Sequence, residues 1–181
     1  MGMINTFRSV VQFDRITLDP VERRLRSAAS VEDFRRIAKR RLPHGVFDYI
    51  DGGAEDERTL ANNVNAFGRY EFQPRILRDV SKLDTSTSIL GRPAALPLVL
   101  APTGFTRIAH SKGELAVARA AARAGVPWSL STMGTRSIEE VAAVSDGDKW
   151  FQVYTWRDRG LVKELLDRSR AAGYTLSLIH I

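Results

Sequence analysis

Cysteine is absent from this chain of 181 residues, which excludes a disulfide framework, a thiolate metal site and a cysteine nucleophile. No run of about 18 apolar residues occurs, so the sequence predicts no membrane-spanning helix. The start, Met1-Gly2-Met3-Ile4-Asn5-Thr6, has no charged stretch followed by an apolar one, and no signal peptide is expected. Neither a G-x-G-x-x-G nor a P-loop sequence is present, which removes the usual mark of a dinucleotide-binding open sheet. Histidine is scarce. His44, His110 and His180 share no metal-ligand spacing. The carboxylates lie scattered at helix starts, and no pair argues for acid–base work.

What remains is an ordinary globular composition, 44% hydrophobic and 27% charged, long enough for one domain with a real core. The net charge of +6 is uneven. Residues 1–41 hold ten Lys/Arg against five Asp/Glu. A basic end of this kind is compatible with nucleic acid or an anionic membrane surface. The plainer account is better. Lys39-Arg40-Arg41 closes a helical stretch, where cations complement the macrodipole, and acids are interleaved. No aromatic and basic alternation of the single-strand-binding kind appears, so no nucleic-acid partner is expected. The lack of cysteine fits a reducing compartment, and the expected location is cytoplasmic, or peripheral at the inner membrane face.

Residues 1–29 show little periodicity and read as an arm. Ser30 then predicts a helix N-cap with Asp33 three residues on, and Leu42-Pro43 stops that helix. A second helix is expected over 44–51, ended by Gly52-Gly53, and a third over 55–66. Residues 70–74 and 85–91 look strand-like. From Leu96 the rhythm becomes strand, helix, strand, helix. Strands are expected at 97–101, 127–131, 150–154 and 175–181, with helices at 112–124, 137–144 and 158–172. Gly125 and Gly173 stand where helix C-caps belong. This alternation argues for an α/β fold with a parallel sheet. Eight such units make a (β/α)₈ barrel of roughly 200 to 250 residues; three to four fit after Leu96, preceded by a helical segment.

Barrel enzymes place their chemistry at the C-terminal ends of strands. Pro102-Thr103-Gly104 follows the first of these strands, and a glycine there lets a flat ligand approach the backbone. A loop-shaping role explains the same residues equally well. Ser131 and Thr132 end the second strand, and Gln152 and Tyr154 end the third. Alternate strand residues share a face, so Gln152 and Tyr154 point inward together or not at all. A glutamine and a phenol in one barrel mouth can read a ring edge and an anionic substrate; a polar barrel layer without ligand is the less favoured alternative. Tyr49, in the short helix before the glycines, taken alone is a packed aromatic.

The series Phe47-Asp48-Tyr49-Ile50-Asp51-Gly52-Gly53, Phe72-Gln73-Pro74-Arg75-Ile76-Leu77, Leu100-Ala101-Pro102-Thr103-Gly104, Leu130-Ser131-Thr132-Met133 and Phe151-Gln152-Val153-Tyr154 resembles the FMN-dependent 2-hydroxy-acid dehydrogenase and oxidase family. Glycolate oxidase, quinone-linked L-lactate dehydrogenase and mandelate dehydrogenase belong to it. The match runs from about Val31 to Tyr174. It implies FMN as cofactor, a small 2-hydroxy acid as substrate, and a quinone, another carrier or oxygen as electron acceptor. It also implies a homo-oligomer for the full-length protein. Tyr49 matches the tyrosine that binds the substrate carboxylate, and Tyr154 the one near the substrate hydroxyl. Met133 falls where the substrate-pocket side chain varies. Pro102, Thr103 and Gly104 match the segment against the flavin ring, and Ser131 and Gln152 match flavin hydrogen-bond partners. The glycine at 104 tilts the resemblance toward dehydrogenases, and Ala101-Pro102-Thr103-Gly104-Phe105-Thr106-Arg107 looks most like the bacterial L-lactate dehydrogenase-type members.

The family's catalytic histidine, substrate-binding arginine and flavin-side lysine fall later than residue 181, so no catalytic residue is expected within the chain. Residues 30–181 are expected to be the N-terminal half of the barrel domain, and 176–181 read as a foreign tail, with His180 where the family has a threonine. Isolated, such a piece is expected to be inactive. Two other readings stand beside this one: an FMN-dependent barrel enzyme that modifies a peptide-derived redox cofactor, and a non-catalytic interaction module using its basic arm.

Overall fold

A computed structural model of the chain describes residues 17–179. His180, the last residue of the expected fourth strand and most of the N-terminal arm therefore lie outside the described residues. The chain divides into two compact units, with the boundary between Val64 and Asn65.

The N-terminal unit is helical. Asp19 accepts from the Val21 N–H at 2.7 Å and caps α1 (Pro20–Arg26), whose first position is proline. Ser30 and Asp33 form the predicted capping box at the start of α2 (Val31–Arg41). Proline at 43 then turns the chain into α3 (His44–Asp51), where Phe47 is the buried residue. Arg35 grips Asp51 through two hydrogen bonds of 2.5 and 2.8 Å and ties α2 to α3. The helix expected over 55–66, α4 (Arg58–Ala66), starts three residues later than expected. Glu55 and Glu57 sit at φ 51° and 55°, in the left-handed region, so a helix cannot run through them.

The second unit opens with an irregular stretch. Residues 70–74 form no strand; Tyr70 and Phe72 are largely or fully exposed. The strand expected at 85–91 becomes a hairpin of β1 (Thr87–Ile89) and β2 (Arg92–Ala94). Leu90 and Gly91 turn it, both at positive φ, as a tight two-residue hairpin loop requires.

The main sheet is parallel, in the order β3 (Trp128–Ser131), β4 (Lys149–Val153), β5 (Leu176–Ile179). The strand expected at 97–101 shrinks to a single parallel bridge, Leu100 to Trp128, beside β3. Pro97 and Pro102 bracket it without N–H groups, and a tight Leu98 N–H to Leu96 carbonyl contact of 2.8 Å curls its start. Three helices connect the strands: α5 (Gly113–Ala124), α6 (Ile138–Ala142) and α7 (Arg159–Ala171). Gly125 ends α5 at φ 64°, the left-handed cap its position predicts.

One face of the sheet carries Trp128, Leu130, Phe151 and Val153, which pack with Ala118, Ala121, Ile138, Val141 and Val162 of the helices. Each buried Leu, Ile, Val or Phe among them stabilises the fold by roughly 1.5–3 kcal/mol. Tyr174 joins this core, and its buried hydroxyl donates to the Ile138 carbonyl at 3.1 Å. Burial pushes that phenol well above its ordinary range. The other face is different: strand alternation and register place Ser129, Ser131, Trp150, Gln152, Leu176 and Leu178 there.

Candidate flavin-binding strand ends

Ser131 and Gln152 form the last pair between β3 and β4. Both are buried on the face away from the helices. Ser131 Oγ accepts from the Met133 N–H at 3.1 Å, which leaves its own hydroxyl proton free to donate. Gln152 Oε1 has no hydrogen-bond partner, and neither does Ser129 Oγ on the same face. A buried amide oxygen without a donor costs about 1–3 kcal/mol. Such a group calls for a donor from outside the chain, a water or a ligand.

The three strand ends are laced together. Thr132 Oγ1 donates to the Gln152 carbonyl and accepts from the Tyr154 N–H, the latter at 3.2 Å. The Phe105 N–H donates to the Met133 carbonyl at 3.0 Å and joins the loop after Leu100 to the loop after β3. Gly104 lies against Met133, where an added Cβ would come within 3.1 Å of the Met133 Cβ. Phe105 itself is left-handed, at φ 53°. Pro102 and Gly104 are half-buried and Thr103 is exposed. Met133 and Tyr154 are each about a third exposed, so both present side chain to solvent at this rim.

The structure thus brings Gly104, Ser131, Met133, Gln152 and Tyr154 into one connected set. Tyr49 belongs to the N-terminal unit, on α3, with its ring 66% exposed. Two residues in or beside the set have no role assigned to them from the sequence. Thr132 is the hydroxyl that joins adjacent strand ends, and only its place after Ser131 hints at it. Glu114 is fully buried, and its carboxylate accepts from Thr135 in the same loop as Met133. Burial works against its ionisation, but the hydrogen bonds it accepts, the Thr135 N–H foremost, together outweigh burial and hold the carboxyl below its ordinary range. Among the described residues no cluster of His, Cys, Asp and Glu could hold a metal ion.

The family model for FMN-dependent dehydrogenases matches residues 38–181, most of the chain. The chain belongs to the FMN-dependent dehydrogenase family. Relatives agree. A Mycobacterium tuberculosis protein with the provisional name L-lactate dehydrogenase is 50% identical over 95% of this chain and 42% of its own length. The glycolate oxidase of Spinacia oleracea is 46% identical over 80% of this chain and 39% of its own. The solved structure of the monotopic membrane protein (S)-mandelate dehydrogenase superposes with a TM-score of 0.80 at 39% identity, covering 84% of this chain and 41% of that one. This FMN-dependent dehydrogenase chain therefore spans about two fifths of the length of the curated relatives it matches. Among its described residues no helix is long and apolar enough to cross a membrane.

The strand ends suit the family's cofactor. A flavin ring is flat and carries both N–H donors and acceptor atoms at its edge. Gln152 Oε1 is a buried acceptor in want of a donor, the Ser131 hydroxyl is an available donor, and Gly104 keeps one wall low.

Proposed function

We propose that this chain forms the flavin-binding wall of an enzyme that oxidises an (S)-2-hydroxy acid, L-lactate, to the 2-oxo acid. Residues 30–181 are then the N-terminal half of the barrel domain, a helical segment followed by the first three to four units of a (β/α)₈ barrel. Gln152 accepts a ring N–H of the flavin, Ser131 donates to it, and Pro102, Thr103 and Gly104 back the ring. The family resemblance gives Tyr154 the substrate hydroxyl, Met133 the pocket over its side chain and Tyr49 the carboxylate. FMN, when bound, supplies a two-electron acceptor for the substrate's α-hydrogen, and a quinone, another carrier or oxygen takes the electrons onward. The chain's own residues bind and orient; none of them is assigned the base, so the chain alone turns over no lactate.

The observation that carries this reading is the Ser131–Gln152 pair, in register at the strand ends with a buried amide oxygen unpartnered. The test is titration of the chain with FMN, followed by flavin fluorescence quenching, with lactate-dependent dye reduction measured alongside. Binding at high FMN concentration that weakens about tenfold in Gln152→Leu, with no dye reduction, is the expected result; one hydrogen bond in a buried site is worth about that much. Equal quenching by the Gln152→Leu protein would remove Gln152 from the site. Lactate turnover by the chain itself would show that it builds a complete site another way.

A further inference from the structure

An acid in the first turn of a helix ordinarily stays in water and complements the macrodipole. Glu114, in the first turn of α5, does not. It is fully buried, and it accepts from the Thr135 N–H at 2.7 Å and from the Thr135 hydroxyl at 2.8 and 3.0 Å. The helix start is bent to allow this: Gly113 is at φ 48°, and an added Cβ would lie 2.5 Å from Arg107 Cγ. The segment so held, Thr132–Arg136, carries Met133. Met133 is fixed in turn by the Ser131 hydroxyl at its N–H and by the Phe105 N–H at its carbonyl. Phe105 keeps a left-handed backbone, which a non-glycine residue holds only where its surroundings determine it.

We propose that Glu114 is a positioning residue: through Thr135 it fixes Met133, and through Met133 the Gly104–Phe105 backbone, and so sets the width of the mouth. The consequence for substrate choice rests on the reading above, in which flavin and hydroxy acid share that mouth. The tether itself needs neither ligand, so its test is separate from that reading.

Hydrogen exchange read by mass spectrometry on the full chain provides the test, comparing Glu114→Ala, Glu114→Gln and Thr135→Val with the parent. In Glu114→Ala, exchange at the Phe105 amide and across 132–136 should accelerate about tenfold or more, the size expected for loss of a bond to a charged acceptor. Exchange in β4 should not change. Glu114→Gln keeps an oxygen facing the Thr135 N–H and should restore most of the protection; Thr135→Val should fall between. Glu114→Ala protein that also loses β4 protection has lost its fold, and Thr135→Val, which removes one hydroxyl, then decides by the same contrast. Parent-like exchange at 105 and 132–136 in a folded variant, or β4 accelerating in step with them in Thr135→Val, overturns the proposal.

Discussion

The residue that best separates stability from function is Gln152. Every other buried group of its strand is packed or bonded in a way that helps the fold, whereas its side-chain oxygen is buried and unpaired. Methionine has a similar volume and no amide. Gln152→Met should therefore raise stability in urea by about 1 kcal/mol without ligand, since the unmet acceptor is gone. FMN should stabilise the parent chain more than the variant. A variant less stable than the parent would mean that the amide serves the fold itself. Gly125 is the opposite case. It is at φ 64°, and an added Cβ would lie 2.9 Å from the Ala95 Cβ. Gly125→Ala should cost about 1–2 kcal/mol, measured as a lower urea midpoint; no change would mean that the α5 cap relaxes freely.

At the scale of elements, the acid limb of stability reports how α6 and α7 are joined. Arg168 binds both carboxylate oxygens of Glu139 at 2.9 Å, one from each helix. The arginine, first, and the helix-start N–H, second, bring the Glu139 carboxyl from its ordinary 4.5 down to about 2. A folded value below the unfolded one means that the pair stabilises the fold above about pH 4.5 and is lost as pH falls through about 2. Both groups face water, so screening limits the contribution to about 0.5–1 kcal/mol. Glu139→Gln should lower stability by that amount at pH 7 and leave it nearly unchanged at pH 2. A deficit that persists undiminished at pH 2 would point to packing in place of charge.

The same scale shows what sequence pattern makes legible. Capping chemistry located α2 from Ser30 and Asp33, and α5 from Gly125, because those residues act within a turn of themselves. Placing strands at 127–131 and 150–154 set Ser131 and Gln152 at neighbouring strand ends, and their register follows from the burial of Leu130 and Phe151 on the helix side. The strand at 97–101 was overestimated. Its apolar run looks right, but Pro97 and Pro102 deny it ladder donors. Glu114 was illegible for a different reason. Its partner lies 21 residues away, and in sequence a buried clamp is indistinguishable from a solvated first-turn acid.

At the scale of the whole molecule, the decisive feature is the apolar surface left exposed among the described residues. Phe72 and Leu77 are 100% and 99% exposed, and Tyr70, Ile76 and Leu83 are each at least 80% exposed, all within one irregular stretch. Scattered exposed leucines mean little, but a run of large apolar side chains on one segment marks a surface that seeks a partner. The sheet adds to this. Among the described residues β5 pairs with β4 on one side alone, and an unpaired edge templates further pairing. In relatives more than twice as long as this chain, further polypeptide is available to cover such surfaces. The chain by itself should therefore self-associate, with sedimentation velocity showing species larger than 20.2 kDa at micromolar concentration. Replacing Phe72 and Leu77 together by glutamate should shift the distribution toward monomer without loss of β4 protection in hydrogen exchange, because neither side chain belongs to the core. A parent chain that sediments as a monomer would show that the 70–83 stretch folds onto its own unit in solution. Association unchanged in the double variant would move the sticky surface to the β5 edge.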